Sequence, residues 1–278
     1  MQGIVREKNA NLFLIESQDK LYQLHPSGKT KLSGVFVGDK VEFSQSITKV
    51  YERKNLLIRP PLANIDKIFI VICPKPKPDF VLVDKIMTYC YLNKIEPVLT
   101  INKCDMAEGS FIDEVFKNYG KILPIIKISA KNDDIKELEE NLSGTCALAG
   151  QSAVGKSSII NAILKDNIAD VGELSKKIER GKQTTRLVKL YKIGQSYLAD
   201  TAGFSMLDLS MISDLDYREL SYYYPDFLEG RAKCKYRSCL HENGDCGVLL
   251  LLNQGKISKL RYENYLKILY ELKNAKKY

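Results

Sequence analysis

The eight residues Gly150-Gln151-Ser152-Ala153-Val154-Gly155-Lys156-Ser157 constrain this chain more than any other feature. They fit G-x-x-x-x-G-K-[ST] and lie between an apolar β-type run, Cys146 to Ala149, and a helical run, Ser158 to Leu164. Glycines there let backbone N–H groups converge on phosphate oxygens at a helix N-terminus. Lys156 supplies a point charge between the outer phosphates, and Ser157 offers its hydroxyl to Mg²⁺. On average residue usage, such a match arises by chance roughly once in a hundred chains of this length. The phosphate-binding set is therefore Gly150, Gln151, Ser152, Ala153, Val154, Gly155, Lys156, Ser157 and Ser158.

Apolar β-type runs alternate with helical stretches on both sides of this loop, from Lys67–Ile72 and Val81–Leu92 onward, which implies a parallel sheet covered on both faces. Two further strands, Leu187 to Ile193 and Ser196 to Ala199, read as a hairpin around Gly194-Gln195. Two strand ends ahead of the loop carry Asn102-Lys103-Cys104-Asp105 and Ser129-Ala130-Lys131. Either alone is a common strand-end turn. Together they hold the parts of a guanine site. Asp105 can accept from the ring N1–H and the 2-amino group, Asn102 brings an amide, Lys103 a stem to lie along the base, and Ala130 an N–H for the 6-keto oxygen. Adenine would leave the carboxylate unpaired, which is how polar sites discriminate.

Asp200-Thr201-Ala202-Gly203 follows an apolar strand, placing a carboxylate for Mg²⁺ and the Gly203 N–H for the terminal phosphate. Gly181-Lys182-Gln183-Thr184-Thr185-Arg186 lies between these motifs and reads as a switch, with Thr185 as the hydroxyl that closes on Mg²⁺ and Thr184 as the fallback. The magnesium set is thus Ser157, Thr185 and Asp200.

With 278 residues, 45% of them hydrophobic, the chain has room for about two domains and a small module. Residues 1–60 show short alternating runs, such as Val41/Phe43, separated by turn residues, and no helical period. About five such strands suit a barrel of the oligonucleotide-binding (OB) type, or any small β-barrel used for packing. Arg59-Pro60-Pro61 stiffens the exit from this unit and puts a boundary near 60–64. The formal charge of +8 is concentrated in the two ends, with +4 in 1–60 and +3 in 209–278. That suits modules contacting a polyanion, although a mild excess also serves solubility. No apolar run approaches the ~20 residues of a membrane helix, and residues 1–8 lack the layout of a secretion signal, so a cytoplasmic protein is expected.

Of seven cysteines, Cys73, Cys90, Cys104 and Cys146 lie singly in apolar surroundings. The other three form Cys234-x₄-Cys239-x-His241-x₄-Cys246, a closed set of three thiolates and one imidazole for one structural Zn²⁺. Redox thiols or plain buried cysteines are the competing explanation. Arg231, Lys233, Lys235 and Arg237 surround the first ligand, as an RNA-facing knuckle or as a solvated charged face. Lys256 to Lys277 reads as an amphipathic helix whose Tyr262, Tyr265, Leu266, Leu269 and Leu272 stripe packs on the rest of the chain.

The guanine motifs precede the phosphate loop, the reverse of an ordinary GTPase. In this the sequence resembles the circularly permuted, ribosome small subunit-dependent GTPases, and the resemblance covers nearly the whole chain. It includes Val37-Gly38-Asp39-Lys40-Val41, Ala63-Asn64-Ile65-Asp66, the motifs above, the Cys/His cluster and Arg261-Tyr262 with Tyr265-Leu266. The resemblance implies an OB-type β-barrel RNA-binding domain over 1–62, a circularly permuted α/β P-loop GTPase domain over 63–208 and an α-helical zinc-binding module over 209–278. It further implies GTP hydrolysis during late maturation of the small ribosomal subunit, with release coupled to hydrolysis. The expected partners are that subunit, its rRNA and GTP or GDP, with no membrane, and the expected state is a monomer.

Two residues bear on catalysis. Phe204 stands where many GTPases place a water-orienting glutamine, so intrinsic hydrolysis should be slow. Members of the resembled family commonly carry a histidine where this chain has Gln183, leaving Gln183, with Lys156, as the catalytic candidates. The alternative is an RNA-binding assembly factor that uses GTP as a conformational ligand with negligible turnover. Permutation also places Asp200–Gly203 directly before the C-terminal module, so a phosphate-dependent movement can pass to it along the chain.

Overall fold

The computed structural model describes residues 1–58, 61–166, 188–200, 209 and 215–275. The chain starts with β1 (Gln2–Asn9), β2 (Leu12–Ser17), β3 (Lys20–Leu24), the short α1 (Gly28–Ser33), β4 (Lys40–Phe43) and β5 (Ile47–Val50). Alternation fixes their inner face: in β4, Val41 and Phe43 are buried while Lys40 and Glu42 are exposed. β1 pairs antiparallel with β2 and β4, β2 with β3, and β4 with β5. The ring closes where Pro26 bridges Ile47, around a core of Val5, Phe13, Ile15, Val35, Val41, Phe43 and Ile47. This is the expected five-stranded barrel, closed so that its edge strands are paired.

Past a register shift between Val5 and Glu7, β1 stays paired with β2, while its other edge, which faces β4 as far as Ile4, pairs through Glu7 with Lys189 of the next sheet. Between the two lies a hairpin of β6 (Leu56–Ile58) and β7 (Pro61–Ala63); Arg59 and Pro60 lie outside the described residues. Its Leu57 and Leu62 are fully buried, in the same apolar cluster as Ile65 and Ile68 of the following unit. The barrel is fastened to this hairpin through Gly38, at φ +88, where an added Cβ would come within 2.1 Å of the Ala63 carbonyl oxygen. Asn64 Nδ2 donates to Gly38 O at 2.9 Å, so only glycine tolerates the close approach.

The second unit contains β8 (Lys67–Ile72), α2 (Phe80–Leu92), β9 (Glu96–Ile101), α3 (Gly109–Tyr119), β10 (Ile125–Lys127), α4 (Lys136–Glu140), β11 (Thr145–Ala149), α5 (Lys156–Asp166), β12 (Lys189–Ile193) and β13 (Ser196–Asp200). The strand order is β10-β9-β8-β11-β13-β12, with every neighbouring pair parallel except β12 with β13. β8 shows why the sheet is covered on both sides: Ile68, Ile70 and Ile72 enter one apolar cluster, and Phe69, Val71 and Cys73 the other. The antiparallel hairpin β12–β13 turns at Gly194, as expected from the sequence.

The remainder holds α6 (Leu228–Arg231), α7 (Gly247–Asn253) and α8 (Lys259–Asn274). Among the described residues it has no separate core. Phe227, Tyr224, Val248, Tyr265, Ile268 and Leu269 share one continuous cluster with Ile86, Met87 and Cys90 of α2. The apolar stripe of α8 is thus explained as packing, partly against α2.

Candidate nucleotide site and metal centre

β11 is flanked by β8 and β13 in the middle of the sheet, so the loop after it opens at the C-terminal edge of the parallel strands, as do the segments after β9 and β10 and the last residue of β13. This brings Asn102–Asp105, Ser129–Lys131, Gly150–Ser158 and Asp200 to one side of the molecule. Gly150 has φ +136, and a Cβ there would meet the Val71 carbonyl oxygen at 2.3 Å. Gly155 has φ +96, and a Cβ there would lie 2.4 Å from Asn102 Nδ2. The first glycine lets the loop cross β8, and the second lets it touch the guanine motif.

Asn102 does more than sequence reasoning assigned. It is 2% exposed, so both ends of its amide need partners. Nδ2 donates to Val154 O at 2.9 Å, and Oδ1 accepts from Ala130 N at 3.2 Å. The residue read as a base contact is therefore the strut joining the phosphate loop to both base-binding turns, and it engages the Ala130 N–H assigned to the 6-keto oxygen. Lys103, at φ +61, sends its ammonium to Ala153 O and Lys75 O, both at 2.9 Å, laying its stem along the loop. Asp105 is oriented by Ser129, whose Oγ donates to Oδ1 at 2.6 Å; the carboxylate is otherwise exposed.

Lys156 folds back to donate to Gly150 O at 2.7 Å and Gln151 O at 2.8 Å. Burial pushes its ammonium below the usual lysine range, while burial pushes the Asp200 carboxyl up; each group's charge partly relieves the other. An outer phosphate beside Lys156 and a cation beside Asp200 would supply what each lacks, so these residues and Ser157 fit a Mg²⁺–nucleotide pair. Gln183, Thr184, Thr185, Gly203 and Phe204 lie outside the described residues.

Sequence reasoning missed a third wall. Gln151 holds the 74–79 segment against the phosphate loop: its Oε1 accepts from Asp79 N at 2.7 Å and its Nε2 donates to Lys77 O at 3.0 Å. In the sequence this segment reads only as a proline-rich spacer, because its contacts are made by carbonyls that carry no residue signature. Gly155→Ala is expected to destroy nucleotide binding while leaving a folded chain, since the new Cβ displaces the Asn102 strut. Calorimetric titration with GDP, alongside a circular dichroism melt, checks it; an unchanged affinity would contradict the role given to Asn102.

The ligand atoms of Cys234, Cys239, His241 and Cys246 all lie within 4.8 Å of one another. The separations are 3.8 Å for Cys234 Sγ to Cys246 Sγ, 3.5 Å for Cys234 Sγ to His241 Nδ1 and 3.4 Å for His241 Nδ1 to Cys246 Sγ. Metal–sulfur bonds of about 2.3 Å at tetrahedral angles give sulfur–sulfur edges of about 3.8 Å, so this donor set fits one structural ion with no open position. Burial pushes the imidazole of His241 down to about 4, keeping it neutral and able to ligate, and pushes the Cys246 thiol up to about 11. His241 itself sits at φ +60, and its backbone carbonyl accepts from Tyr262 Oη at 2.7 Å, while Leu240 O accepts from Tyr265 Oη at 3.0 Å. Two tyrosines of α8 thereby hold the ligand turn.

Guanine-type motifs on β9 and β10, set ahead of the phosphate loop on β11, define the class as a circularly permuted GTPase. Comparison with known proteins agrees. A family model described as RsgA GTPase matches residues 50–210, and a second, described as 50S ribosome-binding GTPase, matches residues 145–276. The chain belongs to the RsgA GTPase family. It is 35% identical to the small ribosomal subunit biogenesis GTPase RsgA of Thermotoga petrophila, covering 99% of this chain and 98% of the relative. It is 36% identical to that of Carboxydothermus hydrogenoformans, covering 98% of each. Among solved structures it resembles YjeQ from Thermotoga maritima, with TM-score 0.83 and 32% identity over 99% of both chains. It also resembles YloQ, described as a circularly permuted GTPase, with TM-score 0.79 and 28% identity over 100% of this chain and 96% of that one.

Proposed function

We propose that this GTPase binds the small ribosomal subunit, hydrolyses GTP during late maturation of that subunit, and leaves once hydrolysis is complete. The observation that carries the nucleotide half is the Asn102 strut, which makes a single site of the phosphate loop and the two base turns. The GTP contacts are those of Asn102–Asp105, Ser129–Lys131, Gly150–Ser158 and Gly203. Mg²⁺, held by Ser157, Thr185 and Asp200, supplies charge neutralisation at the outer phosphates. Lys156 offsets the charge that develops there, and Gln183 orients the attacking water. Cys234, Cys239, His241 and Cys246 hold zinc. The division at 62/63 and 208/209 separates a barrel that faces rRNA, the GTPase unit and the zinc module.

The subunit assignment rests on relatives that match over nearly the full chain, whereas the model named for the 50S subunit covers under half of it, from the strand before the phosphate loop onward. Among the described residues no helix is long and apolar enough to cross a membrane. Work on ribosomes in the cytoplasm, as a monomer, belongs to the same proposal. The test is GTP turnover by the protein alone, with purified small subunits and with purified large subunits. Turnover raised many-fold by small subunits alone is expected. Stimulation by large subunits alone would reject the assignment, and tight binding to small subunits without turnover would favour the assembly factor that uses GTP only as a conformational ligand.

A further inference from the structure

One helix touches both the nucleotide site and the metal module. At its N-terminus, α2 is capped by Asp79, whose Oδ1 accepts from Leu82 N at 3.0 Å and whose own N–H donates to Gln151 of the phosphate loop at 2.7 Å. Little more than a turn further on, Asp84 is fully buried and receives the Arg261 guanidinium and, at 2.7 Å, the Asn264 amide, both from α8. Arg261 is itself 1% exposed. Its remaining donors reach Asp226 at 2.7 and 3.0 Å, and its plane lies over the Tyr224 ring at 4.8 Å. The next residue, Tyr262, donates to the carbonyl of the metal ligand His241. Phosphate loop, α2, α8 and ligand turn are thus joined by consecutive polar contacts through a shared apolar core.

A buried arginine between two carboxylates is a costly arrangement that well-packed apolar side chains could replace without loss of stability. Its geometry is directional: two carboxylates from different elements have to approach one planar group in fixed register. If loss of metal lets the ligand turn relax, Tyr262 and Arg261 shift together, and the pull on Asp84 reaches Asp79 and Gln151 along a helix that does not bend over so short a length. This route is separate from the covalent one through Asp200–Gly203.

We propose that Asp84 and Arg261 are positioning residues that couple zinc occupancy to guanine-nucleotide affinity through α2, so that the metal module preorganises the phosphate loop. The inference rests on the reading of the two sites given above. Linkage makes the coupling reciprocal, so GDP must tighten zinc by the factor by which zinc tightens GDP.

The test measures fluorescent GDP binding to the full chain, zinc-loaded and after zinc removal by a chelator, for the wild type and Asp84→Asn. In the wild type, zinc removal should weaken GDP about tenfold, within the usual range of coupling between sites. In Asp84→Asn the zinc-loaded protein should bind GDP about as weakly as the stripped wild type, and the ratio should approach one. Equal GDP affinity of loaded and stripped wild type, or an undiminished ratio in Asp84→Asn, overturns the proposal. Should Asp84→Asn fail to fold, amide hydrogen exchange on the wild type decides: GDP should slow exchange at Tyr262–Tyr265, and protection confined to residues 79–158 would refute the coupling. A chain that binds no GDP, or no zinc, would overturn the underlying site reading and this proposal with it, a result distinct from two sites that bind independently.

Discussion

Asp105→Asn should weaken GTP by two to four orders of magnitude while leaving the fold intact. The carboxylate is exposed at the strand end and is held by Ser129 through only one oxygen, so its replacement disturbs no buried contact. What it loses are two charge-assisted hydrogen bonds, to the ring N1–H and the 2-amino group, each worth about 1.5–3 kcal/mol. An amide that accepts one of these donors turns its own NH₂ toward the other. A purine bearing a keto oxygen in place of that amino group should recover part of the loss. Competition titration of GTP, ATP and xanthosine triphosphate against wild type and variant reads all three at once. A GTP preference that survives the substitution would remove Asp105 from the site.

Withdrawing the metal should have the largest effect on stability. A structural Zn²⁺ is worth about 10 kcal/mol or more to the segment that holds it, and its four ligands pin the turns between α6 and α7. Because the C-terminal helices share their core with α2, their loosening should propagate and expose Ile86, Met87 and Cys90. Chelation is therefore expected to give an early unfolding transition by calorimetry, with serine at Cys246 reproducing it in the presence of zinc. The pH dependence has a definite sign. The Cys246 thiol, raised to about 11 by burial, keeps its proton at neutral pH without metal, so binding must release it. His241, lowered to about 4, needs no deprotonation above that value. Zinc affinity should fall at least tenfold per unit of acidification, with proton release measurable by calorimetry in buffers of different ionisation enthalpy. An affinity flat from pH 8 to 6, or a chain equally stable when stripped, would contradict the thiolate site.

Parts of this arrangement are written locally and were open to reading. Val41 and Phe43 alternate, the loop glycines match a spacing, and three cysteines and a histidine crowd into thirteen positions; each pattern follows from a constraint acting within a few residues. The Lys75-Pro76-Lys77 segment and the Asp84–Arg261 pair were not legible in the same way. One acts through backbone carbonyls, and the other joins residues 177 positions apart that look like an ordinary exposed helix charge and a basic residue near a chain end.

The order and spacing of motifs pointed to a permuted GTPase followed by a four-ligand cluster, and residue alternation to a small β-barrel ahead of it, because phosphate binding, base selection and metal ligation each need particular side chains at fixed short spacings and a strand shows one face to its core. Only the tertiary structure decided that Asn102 braces the phosphate loop, and that the described C-terminal helices share one core with α2. Those outcomes depend on which buried polar groups meet across the sheet and between helices. Burial demands that such groups be paired, but it names no partner until the chain has closed on itself.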